Sequence, residues 1–199
     1  MPIRALILDF GEVMVRPQSP AAIAHLARVA RLPVETFVER YWTWRRAYDD
    51  GGPAAEYWRH VVPGADEATV AALIEGDYLS WIDRREDMWA LAAAFRAGGG
   101  RTALLSNGVP EIMGRVRRDP SLAATFDDIV VSYEVGCTKP DARIYRLCLE
   151  RVAVPAAACL FVDDRLENID AAAREGMQTL HFTGDASVAA LRARLGMDA

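Results

Sequence analysis

The chain has 199 residues, 52% of them hydrophobic and 26% charged, with a formal net charge of -5. That length supports one domain with a full core plus a modest insertion, and the acidic balance argues against nucleic acid as a partner. Cys137, Cys148 and Cys159 are odd in number and form no CxxC pair, which argues against a disulfide framework or a zinc site and fits a reducing cytosol.

Ile3–Leu8 is apolar at every position but Arg4, the pattern of a strand buried on both faces of a parallel sheet. Asp9 and Glu12 break the run, there is no cleavage-site pattern, and no stretch approaches the ~20 apolar residues of a membrane span. The expected location is cytoplasmic, with no membrane contact. From Pro20 the period becomes helical: Pro20–Leu32, a helix opening near Pro33 and running through Phe37, Tyr41, Trp44 and Tyr48, then Ala54–Val62 and Glu67–Trp81. Alternation then returns. Helix Glu86–Ala97, strand Thr102–Leu105, helix Glu111–Arg117 and strand Ile129–Val131 lead to helix Ala142–Val152, strand Cys159–Val162, helix Asn168–Glu175, strand Thr179–Phe182 and a last helix from Ser187. Such alternation predicts an α/β fold, a Rossmann-like parallel sheet with helices on both faces. Residues 1–15 and 84–199 form the expected core domain, and 16–83 an all-helical insertion after the first strand.

In an open parallel sheet, ligands bind beyond the carboxyl ends of the strands, where strand order reverses. The first strand delivers Asp9 to that crevice. "TALLSNG" delivers Ser106, Asn107 and Gly108, a hydroxyl and backbone N–H groups able to cradle an oxyanion. "VGCTKPD" carries Lys139, and "CLFVDDRLEN" ends its strand in Asp163 and Asp164. Adjacent carboxylates repel and need a cation or donors nearby. With Asp9 they make three hard oxygen ligands, a set suited to Mg2+, and Lys139 would offset the anion that the metal helps to bind.

"LDFGEV", "LLSNG", "GCTKPDARIY" and "FVDDRLENIDAA" resemble the four motifs of the haloacid dehalogenase superfamily of hydrolases, and the helical insertion resembles its small cap. The first motif is similar to that of a phosphatase-type subgroup reading Asp-Phe-Gly. The resemblance implies that Asp9 is the nucleophile, forming an aspartyl-phosphate that water hydrolyses, that Ser106 holds a phosphoryl oxygen, and that Lys139 pairs with Asp9 and the transferring group. It implies magnesium on Asp9, the Gly11 carbonyl and Asp164, with Asp163 bound directly or through water. Asn168 either orients this loop or caps its helix. The implied substrate is a small phosphorylated metabolite such as a sugar phosphate; the expected assembly is a monomer or homodimer.

Gly11 departs from the pattern. Phosphatases of the superfamily usually carry a second Asp there, which protonates the leaving oxygen and later activates water, help worth about 10² to 10⁴ in rate. Glu12, or the cap acids Asp49, Asp50 and Glu56, are the candidate replacements. Two other readings stay open: carbon–halogen hydrolysis, whose enzymes work without a metal and lack the fourth-motif acidic pair, and a phospho-ligand-binding protein with little turnover. Tyr41, Trp42, Trp44, Tyr48, Tyr57 and Trp58 read as helix-bundle core, with an arginine among them available to a second substrate group. Arg115, Arg117 and Arg118 read as a solvated basic face, and His25, His60 and His181 carry no assigned role.

Overall fold

The strand β1 (Ala5–Leu8) has no exposed residue because it is the middle strand of a five-stranded parallel sheet. The order is β3-β2-β1-β4-β5, with β2 at Arg101–Ser106, β3 at Asp128–Val131, β4 at Cys159–Asp163 and β5 at Gln178–His181. The computed structural model describes residues 1–197. Leu6 and Leu8 face one side of the sheet, packing with Leu104, Leu160 and Val162. Ala5 and Ile7 face the other with Ala103, Leu105 and Phe161. Both faces are therefore buried, which is why the strand sequence is apolar without alternation. Each buried aliphatic side chain contributes about 1.5–3 kcal/mol relative to exposure.

Between β1 and β2 the chain forms α1 (Pro20–Ala30), α2 (Val34–Asp49), α3 (Ala54–Val61), α4 (Glu67–Ser80) and α5 (Glu86–Ala97). Ser19 Oγ accepts from Ala22 N–H at 3.1 Å to start α1, and Asp66 does the same for α4 through Thr69 N–H at 2.8 Å. The helices α1 to α4 form the cap, and the two segments by which the chain enters and leaves it meet in a single antiparallel bridge, Val15 opposite Arg84. Phe37, Tyr41, Tyr48, Tyr57 and Trp58 are buried in the cap, with Tyr48 and Tyr57 stacked at 4.5 Å between centroids. Trp42 and Trp44 stay exposed, so the aromatic run is core only on one helix face.

The remaining helices are α6 (Pro110–Val116), α7 (Pro120–Thr125), α8 (Ser132–Val135), α9 (Ala142–Val152), α10 (Leu166–Arg174) and α11 (Asp185–Leu195). The short α7 and α8 are absent from the sequence expectation, because four to six residues carry too little periodicity to register. A second correction concerns α10, which opens at Leu166 with Arg165 at its cap, so Asn168 lies inside the first turn and does not cap it. Two arginines of the basic knot are paired: Arg115 with Glu75 at 2.6 Å and Arg117 with Glu134 at 2.6 Å. All three cysteines are free and buried, and among the described residues no helix is long and apolar enough to cross a membrane.

Candidate active site

Strand order reverses at β1, since β2 and β3 lie to one side and β4 and β5 to the other. Asp9 follows β1 directly, Ser106 ends β2, and Asp163 ends β4, so three strand ends converge at one crevice. The cleft there is lined by Asp9, Gly11, Ser106, Asn107, Lys139 and Asp164 among others. It reaches from the sheet edge to the cap, whose Trp42, Arg45, Asp49 and Trp81 form the opposite wall.

Lys139 is the hub of the charged cluster. Its ammonium lies 2.7 Å from Asp9 Oδ1 and donates to Asp163 Oδ2 at 2.6 Å, with only 1% of the side chain exposed. Burial works against its charge, but Asp163 and Asp9 outweigh that and hold its pKa above the ordinary lysine value. Asn107 fixes the backbone underneath: its Oδ1 accepts from Lys139 N–H at 2.8 Å and its Nδ2 donates to the Lys139 carbonyl at 2.9 Å. Asn107 thus positions the lysine, a role its place in a Ser-Asn-Gly turn does not announce.

Asp163 is fully buried and its oxygens are heavily engaged. Oδ1 accepts from Arg165 N–H and from Asn168 Nδ2, each at 2.9 Å, and Oδ2 accepts from Lys139 and from Asn168 at 3.1 Å. The orienting alternative for Asn168 is therefore the one realised. Its own Oδ1 is buried without a donor among the described residues. Asp9, Asp163 and Asp164 can each offer one carboxylate oxygen such that all lie within 4.8 Å of one another. Three acids against one ammonium leave the cluster short of positive charge. Burial pushes the Asp9 carboxyl up, Lys139 pulls it down, and Asp163 and Asp164 push it up again, to about 8. Burial, Asp163 and Glu12 push Asp164 up to about 6. Buried oxygen donors whose ionised forms lack a counter-charge suit a hard divalent cation. The Gly11 carbonyl already accepts from Val13 N–H at 2.6 Å, which occupies one of its two lone pairs.

One expectation changes in detail. The Gly108 N–H donates to Ser132 Oγ at 3.0 Å and so is spent inside the protein and does not serve an oxyanion. Gly108 is also sterically enforced, since a Cβ there would meet Met113 Cγ at 2.6 Å and Val131 Cγ1 at 3.3 Å. Ser106 Oγ has only a long 3.3 Å contact with the Asn107 carbonyl, leaving its hydroxyl available to the cleft. Of the histidines, His181 Nε2 lies 2.8 Å from the Asp164 carbonyl oxygen, a contact no local pattern signalled.

The cap wall is a buried polar network. Arg45 Nε donates to Asp49 Oδ1 at 3.0 Å and Arg45 Nη1 to Asp77 Oδ2 at 3.2 Å, while Tyr41 Oη donates to Asp77 Oδ1 at 2.7 Å. Trp81 Nε1 donates to the same Tyr41 oxygen at 3.1 Å. Its ring faces Gly11: a Cβ on that glycine would sit 3.6 Å from Trp81 Cζ3 and 4.0 Å from Asp9 Oδ2, both ordinary contacts.

Residues 3–176 match the model of the haloacid dehalogenase-like hydrolases. The chain belongs to this family. Phosphatase MT3486 of Mycobacterium tuberculosis is 24% identical to the hydrolase over 187 residues, which is 89% of this chain and 86% of that relative. (S)-2-haloacid dehalogenase 1 of Pseudomonas is 31% identical over 89 residues, 45% of this chain and 39% of that relative. The fold of the hydrolase superposes on a crystal structure of a HAD family enzyme from Bacteroides thetaiotaomicron with a TM-score of 0.81 at 18% identity, covering 96% of this chain and all of that one (100%). A second structure of that enzyme, a complex with magnesium and inorganic phosphate, gives a TM-score of 0.77 at 17% identity, covering 92% and 96% of the two chains.

Proposed function

We propose that this hydrolase is a magnesium-dependent phosphatase of a small phosphorylated metabolite, working through an aspartyl-phosphate on Asp9. The observation that carries the reading is the convergence of Asp9, Asp163 and Asp164 on one ion-sized volume beside the Lys139 ammonium. The phosphatase among the relatives and the phosphate-bound complex among the structural neighbours support it. Asp9, Asp164 and the free lone pair of the Gly11 carbonyl would hold magnesium, with Asp163 reaching it through water because its oxygens are engaged by Lys139, Asn168 and Arg165. When bound, the ion would neutralise carboxylate charge and help the site accept a phosphoryl dianion. Asp9 attacks phosphorus, Lys139 stabilises the charge that builds on the phosphoryl oxygens, and Ser106 donates to one of them.

Phosphate release from a panel of phosphomonoesters, measured with and without magnesium beside chloride release from 2-chloropropionate, tests the reading. Magnesium-dependent phosphate release is expected. Chloride release without metal would replace phosphatase by dehalogenase, and inactivity toward both would leave a phospho-ligand-binding protein.

A thermal measurement checks the ion site independently. In metal-free protein the raised carboxyls of Asp9 and Asp164 hold their protons to higher pH than the unfolded chain does, so their contribution to stability falls as pH rises from about 4 to about 8. Magnesium needs the ionised forms and removes that penalty. The rise in Tm on adding magnesium is therefore expected to be small near pH 5.5 and to grow toward about pH 8. A magnesium shift that is flat across this window would place the ion elsewhere.

A further inference from the structure

A phosphatase with glycine at position 11 still has to protonate its leaving oxygen. Nothing in the backbone forbids a side chain here, since Gly11 is not among the positive-φ residues and its Cβ would meet only ordinary contacts. That Cβ would sit 3.6 Å from the ring of Trp81, an apolar edge, and 4.0 Å from Asp9 Oδ2. The proton must come from another wall of the cleft.

The acids lining that cleft are Asp9, Asp164, Glu12 and Asp49. Asp9 and Asp164 would belong to the ion site, and Glu12 directly follows Gly11, whose carbonyl would join that site, and also lines a second hollow beside His181 and Thr183. Asp50 is exposed and outside the cleft, and Glu56 lines a separate hollow with Trp44 and His60. That leaves Asp49, at the end of α2 in the cap. Its Oδ1 accepts from Arg45 Nε at 3.0 Å, while Oδ2 has no hydrogen-bond partner among the described residues. Its main chain is fastened to the core: the Asp49 carbonyl accepts from Ser132 Oγ, the same oxygen that takes the Gly108 N–H at 3.0 Å. One residue earlier, Tyr48 Oη donates to Glu111 Oε2 at 2.8 Å. A cap carboxyl is thereby held in register with the loop after β2.

We propose that Asp49 is the general acid and base of this reaction, supplied by the cap in place of a second motif-one aspartate. The proposal rests on the phosphatase reading above. In the first half, an Asp9 oxygen forms a bond to phosphorus as the bond to the leaving oxygen breaks. That electron pair stays on the leaving oxygen, which takes the Asp49 proton and departs as an alcohol. In the second half the Asp49 carboxylate takes a proton from water as the hydroxide oxygen bonds to phosphorus and the bond from phosphorus to the Asp9 oxygen breaks, its electron pair returning to Asp9 as a carboxylate, so that phosphate leaves and Asp49 is again protonated. Burial pushes the Asp49 carboxyl up, against Arg45, which pulls it down, with Asp77 and Asp50 pushing it up, so the acid form persists further toward neutrality than for an ordinary aspartate. Across the cleft it shares walls with Glu12, Lys139, Asp164 and Arg165.

The test compares kcat/KM on p-nitrophenyl phosphate, whose leaving group needs little protonation, with an alkyl phosphate, in magnesium, for wild type, Asp49→Asn and Glu12→Gln. For Asp49→Asn the alkyl ester is expected to lose about 10²-fold or more and the aryl ester less than about threefold, with a burst of p-nitrophenol as the phosphoenzyme accumulates. Adding Gly11→Asp to Asp49→Asn is expected to recover at least about tenfold on the alkyl ester alone. Should Asp49→Asn fail to fold by circular dichroism, Asp49→Ala rescued by formate on the alkyl ester supplies the same readout. Equal losses on both esters, or a leaving-group-selective loss in Glu12→Gln instead, overturn the role of Asp49 and leave the phosphatase reading standing. Wild type inactive on both esters overturns the two together.

Discussion

Asp9→Asn is expected to abolish turnover, by at least about 10³-fold, while leaving the fold intact. An amide can neither attack phosphorus nor carry the phosphoryl group, and no other cleft carboxylate that contacts Lys139 directly is free to substitute, since Asp163 is engaged by three donor residues. Folding is preserved for a separate reason. Asn Oδ1 can keep the contact with Lys139 now made by Asp9 Oδ1 at 2.7 Å, and Lys139 remains paired with Asp163. The variant also removes a carboxyl that burial has pushed far above its usual range, so the metal-free protein is expected to melt no lower than wild type. Its magnesium-induced rise in Tm should shrink. Residual activity near that of wild type would assign the nucleophile elsewhere.

Lys139→Ala is expected to be damaging in both respects, costing turnover and about 3–5 kcal/mol of stability. The ammonium is the one cation between Asp9 and Asp163, and removing it leaves two buried carboxylates facing each other. The backbone at 139 is clamped by Asn107 through N–H and C=O, so the loop itself should stay in place and the loss reports on charge. The deficit should narrow as pH falls, because Asp9, already raised, takes up a proton and relieves the repulsion. Urea unfolding of variant and wild type near pH 8 and near pH 5.5 measures this. A variant as stable as wild type at pH 8 would mean that the pairing carries little of the fold's stability.

Much of this architecture is readable from local pattern. Ile7 and Leu8 sit in an unbroken apolar run that only a strand covered on both faces explains, and each acid or hydroxyl after such a run arrives at the same sheet edge. What the pattern does not carry is anything decided by side-chain direction across the chain. Ser132 looks like any loop serine, yet its hydroxyl joins the carbonyl of Asp49 to Gly108, residues distant in sequence. Arg45 reads as one basic residue among aromatics, and only packing shows it held between Asp49 and Asp77. Gly108 illustrates the same limit from the other side: its N–H could serve a ligand until a neighbouring hydroxyl claims it. The separation of Asp49 from Asp50 and Glu56 likewise depends on which helix face meets the cleft.

The central place of β1 has a consequence for how the molecule is made. β1 precedes both its partners in the chain, pairing Ala5 with Arg101 on one edge and with Cys159 on the other. During synthesis an apolar strand with two bare edges must wait while the cap helices form beside it, and its second edge closes only when β4 emerges. Parallel pairings this distant in sequence close slowly, on a scale of milliseconds to seconds. Exposed strand edges recruit other chains in the meantime. Chains stopped before β4 are therefore expected to aggregate, and the full-length protein to refold best at low concentration.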